Sequence, residues 1–217
     1  MSAPDYWDWR DTEQWGGNCN QHIMQSPIDI VAPVKDETGN TGNPFHINYN
    51  FEKSIPVLVT ANGVDIIVKF TQFSGAFKIV YTINGDMLSY HPTHLSFRFP
   101  AEHLINGYRL DGEIILVCEE ITSGDNSAYS ITNGLEFVIP LQFSPFGPEF
   151  DELGDLNPEM WKTEIVRSSN RSYKPRDPLT GKDTKFKLHD FFNKIMDLKS
   201  DFSMYMGTST TPPCAGI

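Results

Sequence analysis

Residues 95–117 read LSFRFPAEHLINGYRLDGEIILV. Two apolar runs flank Asn106-Gly107, a dipeptide that tolerates positive φ and so favours a tight hairpin turn. Side chains alternate along a strand. That puts Ser96 and Arg98 on one face of the first run, and Glu113, Ile115 and Val117 on one face of the second. His94 shares the Ser96 face, whereas His91, three residues earlier, is expected on the other. Cys118 faces away from Val117 and reads as a buried, inert thiol.

The same pattern extends outward. Runs rich in Val, Ile and Phe occupy 55–60, 65–70, 77–83, 113–119 and 135–143, punctuated by Asn62-Gly63, Asn84-Gly85 and Asn133-Gly134. They predict a mostly β chain with minor helices, built on one large, twisted, mostly antiparallel sheet. Residues 187–196 are the best helix candidate and 148–154 read as a second, short one. The stretch 168–184, SSNRSYKPRDPLTGKDT, has loop composition. With Arg167, Arg171, Lys174, Arg176, Lys182 and Lys185 it is locally basic, so it is either an idle loop or a binding element for an acidic partner surface.

A chain of 217 residues without an internal linker is expected to form one domain, 1–217. Its net charge of -11, from 28 acidic and 17 basic residues, argues against nucleic acid or an anionic membrane as the main partner. No apolar run approaches the ~18 residues of a transmembrane segment. Residues 1–4 lack the basic and apolar regions of a signal peptide, so none exists or the numbering begins after its removal. Asn170-Arg171-Ser172 is a glycosylation sequon, in keeping with secretion.

Several blocks carry a more specific signal. Tyr6 with Trp7, Trp9 and Trp15 is followed by Gln25-Ser26-Pro27-Ile28-Asp29-Ile30, by Asn62-Gly63 and the strand after it, and by Thr210-Thr211-Pro212-Pro213-Cys214. Between them lie Glu102-His103, Gly107-Tyr108, Glu113 and Val117. In this order, over nearly the whole chain, the blocks resemble the alpha-class carbonic anhydrases. The resemblance implies that family's sheet, with 168–184 as an insertion. It also implies that three zinc-binding histidines belong where this chain has Ser96, Arg98 and Ile115, and a proton-shuttling histidine where it has Val64.

Other family positions are retained by the same resemblance: Glu102 and Thr210 of a carboxylate-to-hydroxyl relay, Thr211 beside it, Glu113 that braces a ligand, and His103 with a hydrogen-bonding role. Cys19 and Cys214 match cysteines that form a disulfide in secreted or membrane-tethered members. That pairing implies an extracellular or other oxidising compartment. The alternative is two free thiols in a subunit of an intracellular or organellar assembly. The family continues beyond the T-T-P-P-C turn into further sheet. The C-terminal part is therefore expected to be missing, its place taken by the rest of a longer chain, a tail or a partner.

Catalytic zinc takes three N, S or O ligands plus an open water position. Ser96 is a poor neutral ligand, Arg98 a fixed cation without a lone pair, and Ile115 has no donor. Without metal, the lowering of the water pKa from roughly 15.7 to about 7 is lost. The expectation is a carbonic anhydrase pseudoenzyme without zinc or other cofactor and without catalytic residues: a binding or structural module, in a protein interaction or an assembly. If Arg98 enters the former metal cavity, an unpaired buried charge would cost several kcal/mol, so Glu113 and Glu102, or a bound small anion such as bicarbonate or a carboxylate, are its expected partners. Otherwise Arg98 snorkels to water. The alternative function is reversible CO2 hydration with a displaced or non-standard metal.

Overall fold

The computed structural model describes residues 19, 25–31, 45–61, 66–72, 74–81, 87–121, 134–143, 171–173, 185–197, 203–210 and 214. Val64, Thr211, the N-terminal aromatic residues, the 148–154 helix, Asn170 and most of 168–184 lie outside them. Strands dominate. A small sheet joins β1 (Asp29–Ile30), β7 (Leu104–Ile105) and β8 (Tyr108–Arg109) in the order β1-β7-β8. Asn106 and Gly107, with φ of 51° and 79°, make the two-residue turn between β7 and β8.

The main sheet has nine strands. Its spine runs β10 (Gly134–Leu141), β9 (Gly112–Glu120), β6 (Met87–Arg98), β4 (Ile66–Phe70), β3 (Ile55–Ala61), β11 (Arg171–Tyr173). β5 (Gly75–Tyr81) pairs with the first half of β6 and with β2 (Phe45–Phe51), and β12 (Lys185–Phe186) pairs with β3. Every pairing in this sheet is antiparallel.

One face of the sheet carries the core. Val57, Val59, Ile66, Val68, Leu95, Phe97, Ile114, Leu116 and Cys118 alternate along their strands and are buried. Helix α1 (Leu188–Asp197) covers them. Its Leu188, Phe191, Phe192 and Ile195 follow the i, i+3, i+4, i+7 pattern of an apolar stripe and are all buried, while Asp190 and Lys194 sit at the helix ends their charges favour. Phe192 meets Tyr49, Phe51 and Phe137 at centroid distances of 4.8, 5.1 and 5.1 Å, and Tyr49 OH donates to Asn193 Oδ1 at 2.7 Å. Burial pushes the Cys118 thiol far up, which keeps it protonated and inert.

Three expectations need correction. The 168–184 segment is not wholly a loop, because residues 171–173 extend the sheet beside Val59–Ala61. The strand that the first apolar run of 95–117 predicts begins earlier, at Met87, a start hidden in the sequence by Pro92 and two histidines. Finally, His91 and His94 do not face opposite ways. A bulge between Pro92 and His94 adds one residue, so His91 lies opposite Glu119 and His94 opposite Val117, two positions on the same face of β9. Proline, which cannot donate to a ladder, sits where such an irregularity is tolerated.

Candidate functional site

The face opposite the core builds the site. Ser96 of β6 is the register partner of Ile67 on β4 and of Ile115 on β9, His94 that of Val117, and Val117 in turn that of Glu136 on β10. Directly opposed residues project together, so four neighbouring strands deliver these side chains to one place. They line a cavity of about 180 Å³. Ile67, Ile115 and Val117 form its apolar wall; His94, Ser96, Arg98, Glu136 and Ser209 supply polar groups.

Arg98 is buried. Its Nη1 donates to Glu102 Oε2 and to Thr210 Oγ1, so the ion pair and the hydroxyl hold the guanidinium in the cavity wall. Of the two carboxylates expected beside Arg98, only Glu102 bonds it. Glu113 is taken by His103: Oε2 accepts from the His103 backbone N–H at 3.2 Å and lies 3.0 Å from its Nδ1. Burial alone would raise the Glu113 pKa, but the hydrogen bonds and charge of His103 outweigh it and hold the carboxyl below its ordinary value.

His103 extends this contact into a chain. Its Nε2 lies 2.8 Å from Tyr205 OH, which lies 2.9 Å from Ser26 Oγ, and Ser26 Oγ accepts from the Thr208 N–H at 3.2 Å. The Thr208 N–H donates to Ser26 Oγ, and the His103 ring joins the Tyr205 hydroxyl to the Glu113 carboxylate. The chain ties 203–210, and so Thr210, to the cavity. Gly207 is needed there, because a Cβ would lie 2.6 Å from Tyr205 Cε2.

Two polar atoms at the site are orphans. Ser96 Oγ and Glu113 Oε1 are fully buried and make no hydrogen bond among the described residues. Glu113 Oε1 is the oxygen left over on a carboxylate two residues before Ile115, whose side chain has nothing to donate.

His94 and Glu136 complete the polar lining. Thr93 Oγ1 donates its proton to Val117 O, so it accepts from His94 Nδ1–H at 3.0 Å, and Nε2 is left as the acceptor. Burial, together with the charges of Lys69 and Arg98, lowers the His94 pKa to about 4. Burial pushes Glu136 up to about 7 despite Arg98 and His103, with Glu102 and Glu113 adding to the rise. Sequence reasoning missed Glu136. Its signal was present as the lone acid inside the apolar run 135–143.

The residues do not fit a catalytic zinc ion. A hydroxyl, a cation and a hydrocarbon share the cavity, the cation is bonded into its wall, and the carboxylate beside Ile115 has an oxygen with no imidazole to brace. Among the described residues no group of three or more His, Cys, Asp or Glu side chains could hold a metal ion. Cys19 and Cys214 form a disulfide, with Cα atoms 5.0 Å apart.

Residues 4–217 match the family model described as eukaryotic-type carbonic anhydrase. The chain belongs to that family. Alpha carbonic anhydrase 7 of Arabidopsis thaliana is 26% identical over 213 residues, covering 95% of this chain and 64% of the relative. Dioscorin DB3L of Dioscorea polystachya is 24% identical over 208 residues, covering 93% and 64%. Among solved structures, the fungal alpha carbonic anhydrase from Aspergillus oryzae superposes with a TM-score of 0.61 at 15% identity, covering 96% of this chain and 74% of that one. The chain thus spans a little under two thirds of the length of these curated relatives. This carbonic anhydrase family member shares their mostly antiparallel fold, and no helix among its described residues is long and apolar enough to cross a membrane.

Proposed function

We propose that this carbonic anhydrase family member is a non-catalytic binding or structural module that carries no zinc. One observation supports the reading above the others: the Arg98 guanidinium stands in the cavity wall, fixed by Glu102 and Thr210, with Ser96 and Ile115 beside it. A fixed cation there repels a divalent ion, and among the described residues no group of three or more His, Cys, Asp or Glu side chains could take the ligands' place. The disulfide supports an extracellular or other oxidising compartment. Arg171, on the edge strand β11 and within a sequence stretch rich in Lys and Arg, supports a protein partner with an acidic surface. Stopped-flow CO2 hydration tests the reading. The expected rate equals that of buffer, with and without added zinc; hydration that a chelator removes would overturn it.

A further inference from the structure

Among the described residues no strand lies beyond β10 in the main sheet. Its core-facing Leu135, Phe137, Ile139 and Leu141 are only partly buried, while Cys118, Leu116 and Ile114, which oppose the first three on β9, are fully buried. Apolar surface therefore continues past the last strand. Just after β10, Phe143 is 69% exposed and stacks on Phe99 at a centroid distance of 5.9 Å.

The direction of the β10 peptide groups follows from β9. Ile121 N–H donates to Ser89 O and Val117 O accepts from Thr93 Oγ1, so the odd-numbered residues of β9 turn their peptide groups to β6 and the even-numbered ones to β10. In the unbroken register of β9 with β10, Leu135, Phe137, Ile139 and Leu141 meet those even-numbered residues. The peptide groups of Gly134, Glu136, Val138 and Pro140 thus point out of the sheet. Pro140, which has no N–H, sits where the ladder to β9 needs none. Such an edge is a template for one more strand.

We infer that a second copy of this chain supplies that strand, β10 pairing antiparallel with β10 across a two-fold axis at Phe137. Charge and proline choose the register. Centred on Glu136, the pairing sets two carboxyls directly opposite each other; centred on Val138, it sets Glu136 against Pro140, which cannot donate. Centred on Phe137, Glu136 and Val138 exchange both bonds with Val138 and Glu136 of the second copy, and the Gly134 N–H reaches the second copy's Pro140 O. Every outward N–H is then satisfied. The two Phe137 side chains meet as a non-hydrogen-bonded pair with Leu135 against Ile139 on either side, which covers the apolar strip.

The far end of the sheet does not match this edge. Thr71 N–H donates to Pro56 O, so even-numbered residues of β3 face β4, and Arg171 and Tyr173 spend their peptide groups on Ala61 and Val59. Only those of Ser172 point outward from β11. A closed two-fold pair is therefore favoured over an open array of β10 on β11. The inference goes beyond the metal-free reading and does not depend on it.

Sedimentation of the whole chain over a concentration series tests this. A reversible monomer–dimer equilibrium is expected, with amide hydrogen exchange at Glu136 and Val138 slowing as the dimer fills. Val138→Pro removes an N–H that the ladder to β9 does not use, so the variant keeps its circular dichroism spectrum; its dimerisation should weaken about a hundredfold. Phe137→Cys reads the register. Mild oxidation should link two copies through position 137, and Val138→Cys should give no such link. A chain that stays monomeric throughout the series, Glu136 and Val138 amides already protected in the monomer, a dimer that Val138→Pro leaves intact, or a link at 138 in place of 137 would each overturn the inference. Protected amides in a monomer would show that the chain covers the edge itself.

Discussion

Arg98 and Glu113 stand directly opposite each other on neighbouring strands, yet they share no hydrogen bond. Arg98 reaches Glu102 and Thr210, and Glu113 keeps His103. The site therefore contains two charged groups held by separate hydrogen bonds. One is a guanidinium pair in the cavity wall; the other is a buried carboxylate at the end of a hydrogen-bond chain.

The first system makes a prediction about stability. Arg98→Met strands the Glu102 carboxylate, whose side chain is 31% exposed, so the loss should be about 2–3 kcal/mol rather than that of a fully buried pair. Adding Glu102→Gln should restore most of it. Urea unfolding of both variants measures this, and a double variant no more stable than the single one would contradict the pairing.

Glu136 and His94 should oppose each other in the pH dependence of stability. Glu136, raised from 4.5 to about 7, holds a proton in the native state that the unfolded chain releases; its contribution is full below about 4.5 and fades as pH rises through 7. His94, lowered from 6.5 to about 4, does the reverse: its contribution is full above 6.5 and is lost as pH falls through 4. Relative to the parent, Glu136→Gln should gain about 3 kcal/mol as pH rises across its window, and His94→Gln should lose about as much across its own. Parallel curves for parent and variants would refute both assignments.

Thiol counting checks the cysteines. The native, unreduced chain should give no thiol reaction. Unfolding without reductant should expose one thiol, Cys118, and reduction should free all three. Reducing the Cys19–Cys214 bridge, which spans 195 residues of sequence, should lower stability by ~2–5 kcal/mol. A native chain that reacts readily at Cys118 would contradict the packing of the core.

The orphaned Glu113 Oε1 predicts how a metal site could be rebuilt. The triple variant Ser96→His, Arg98→His, Ile115→His supplies three imidazoles to one cavity and gives Glu113 Oε1 a donor at position 115. One equivalent of zinc should bind by calorimetry. Adding Glu113→Gln should weaken it about 10–100-fold; no effect of that change would show that Glu113 does not brace the new ligand.

Much of this was legible before the structure. Alternation in 95–117 put Ser96 with Arg98 and set Cys118 apart, because period-2 faces depend only on a regular strand. The turn at Asn106-Gly107 was legible for a similar reason, since its chemistry is local. The same rule failed at His91 and His94, where the bulge at Pro92 shifts the period and no local signal fixes its position. β2 was missed because FHINYNF mixes polar and apolar residues; it is placed by β5, a partner far along the chain. Glu136 stood out as the lone acid in the run 135–143, but where that acid goes was set only by the long-range pairing of β10 with β9, which puts it beside Val117.

The central claim is that this cavity has no donor set for a catalytic ion, and elemental analysis tests it most directly. Protein purified without chelator, incubated with zinc and desalted, should carry far less than one equivalent of metal. One equivalent of zinc per chain, retained through desalting and removed by a chelator, would contradict the account.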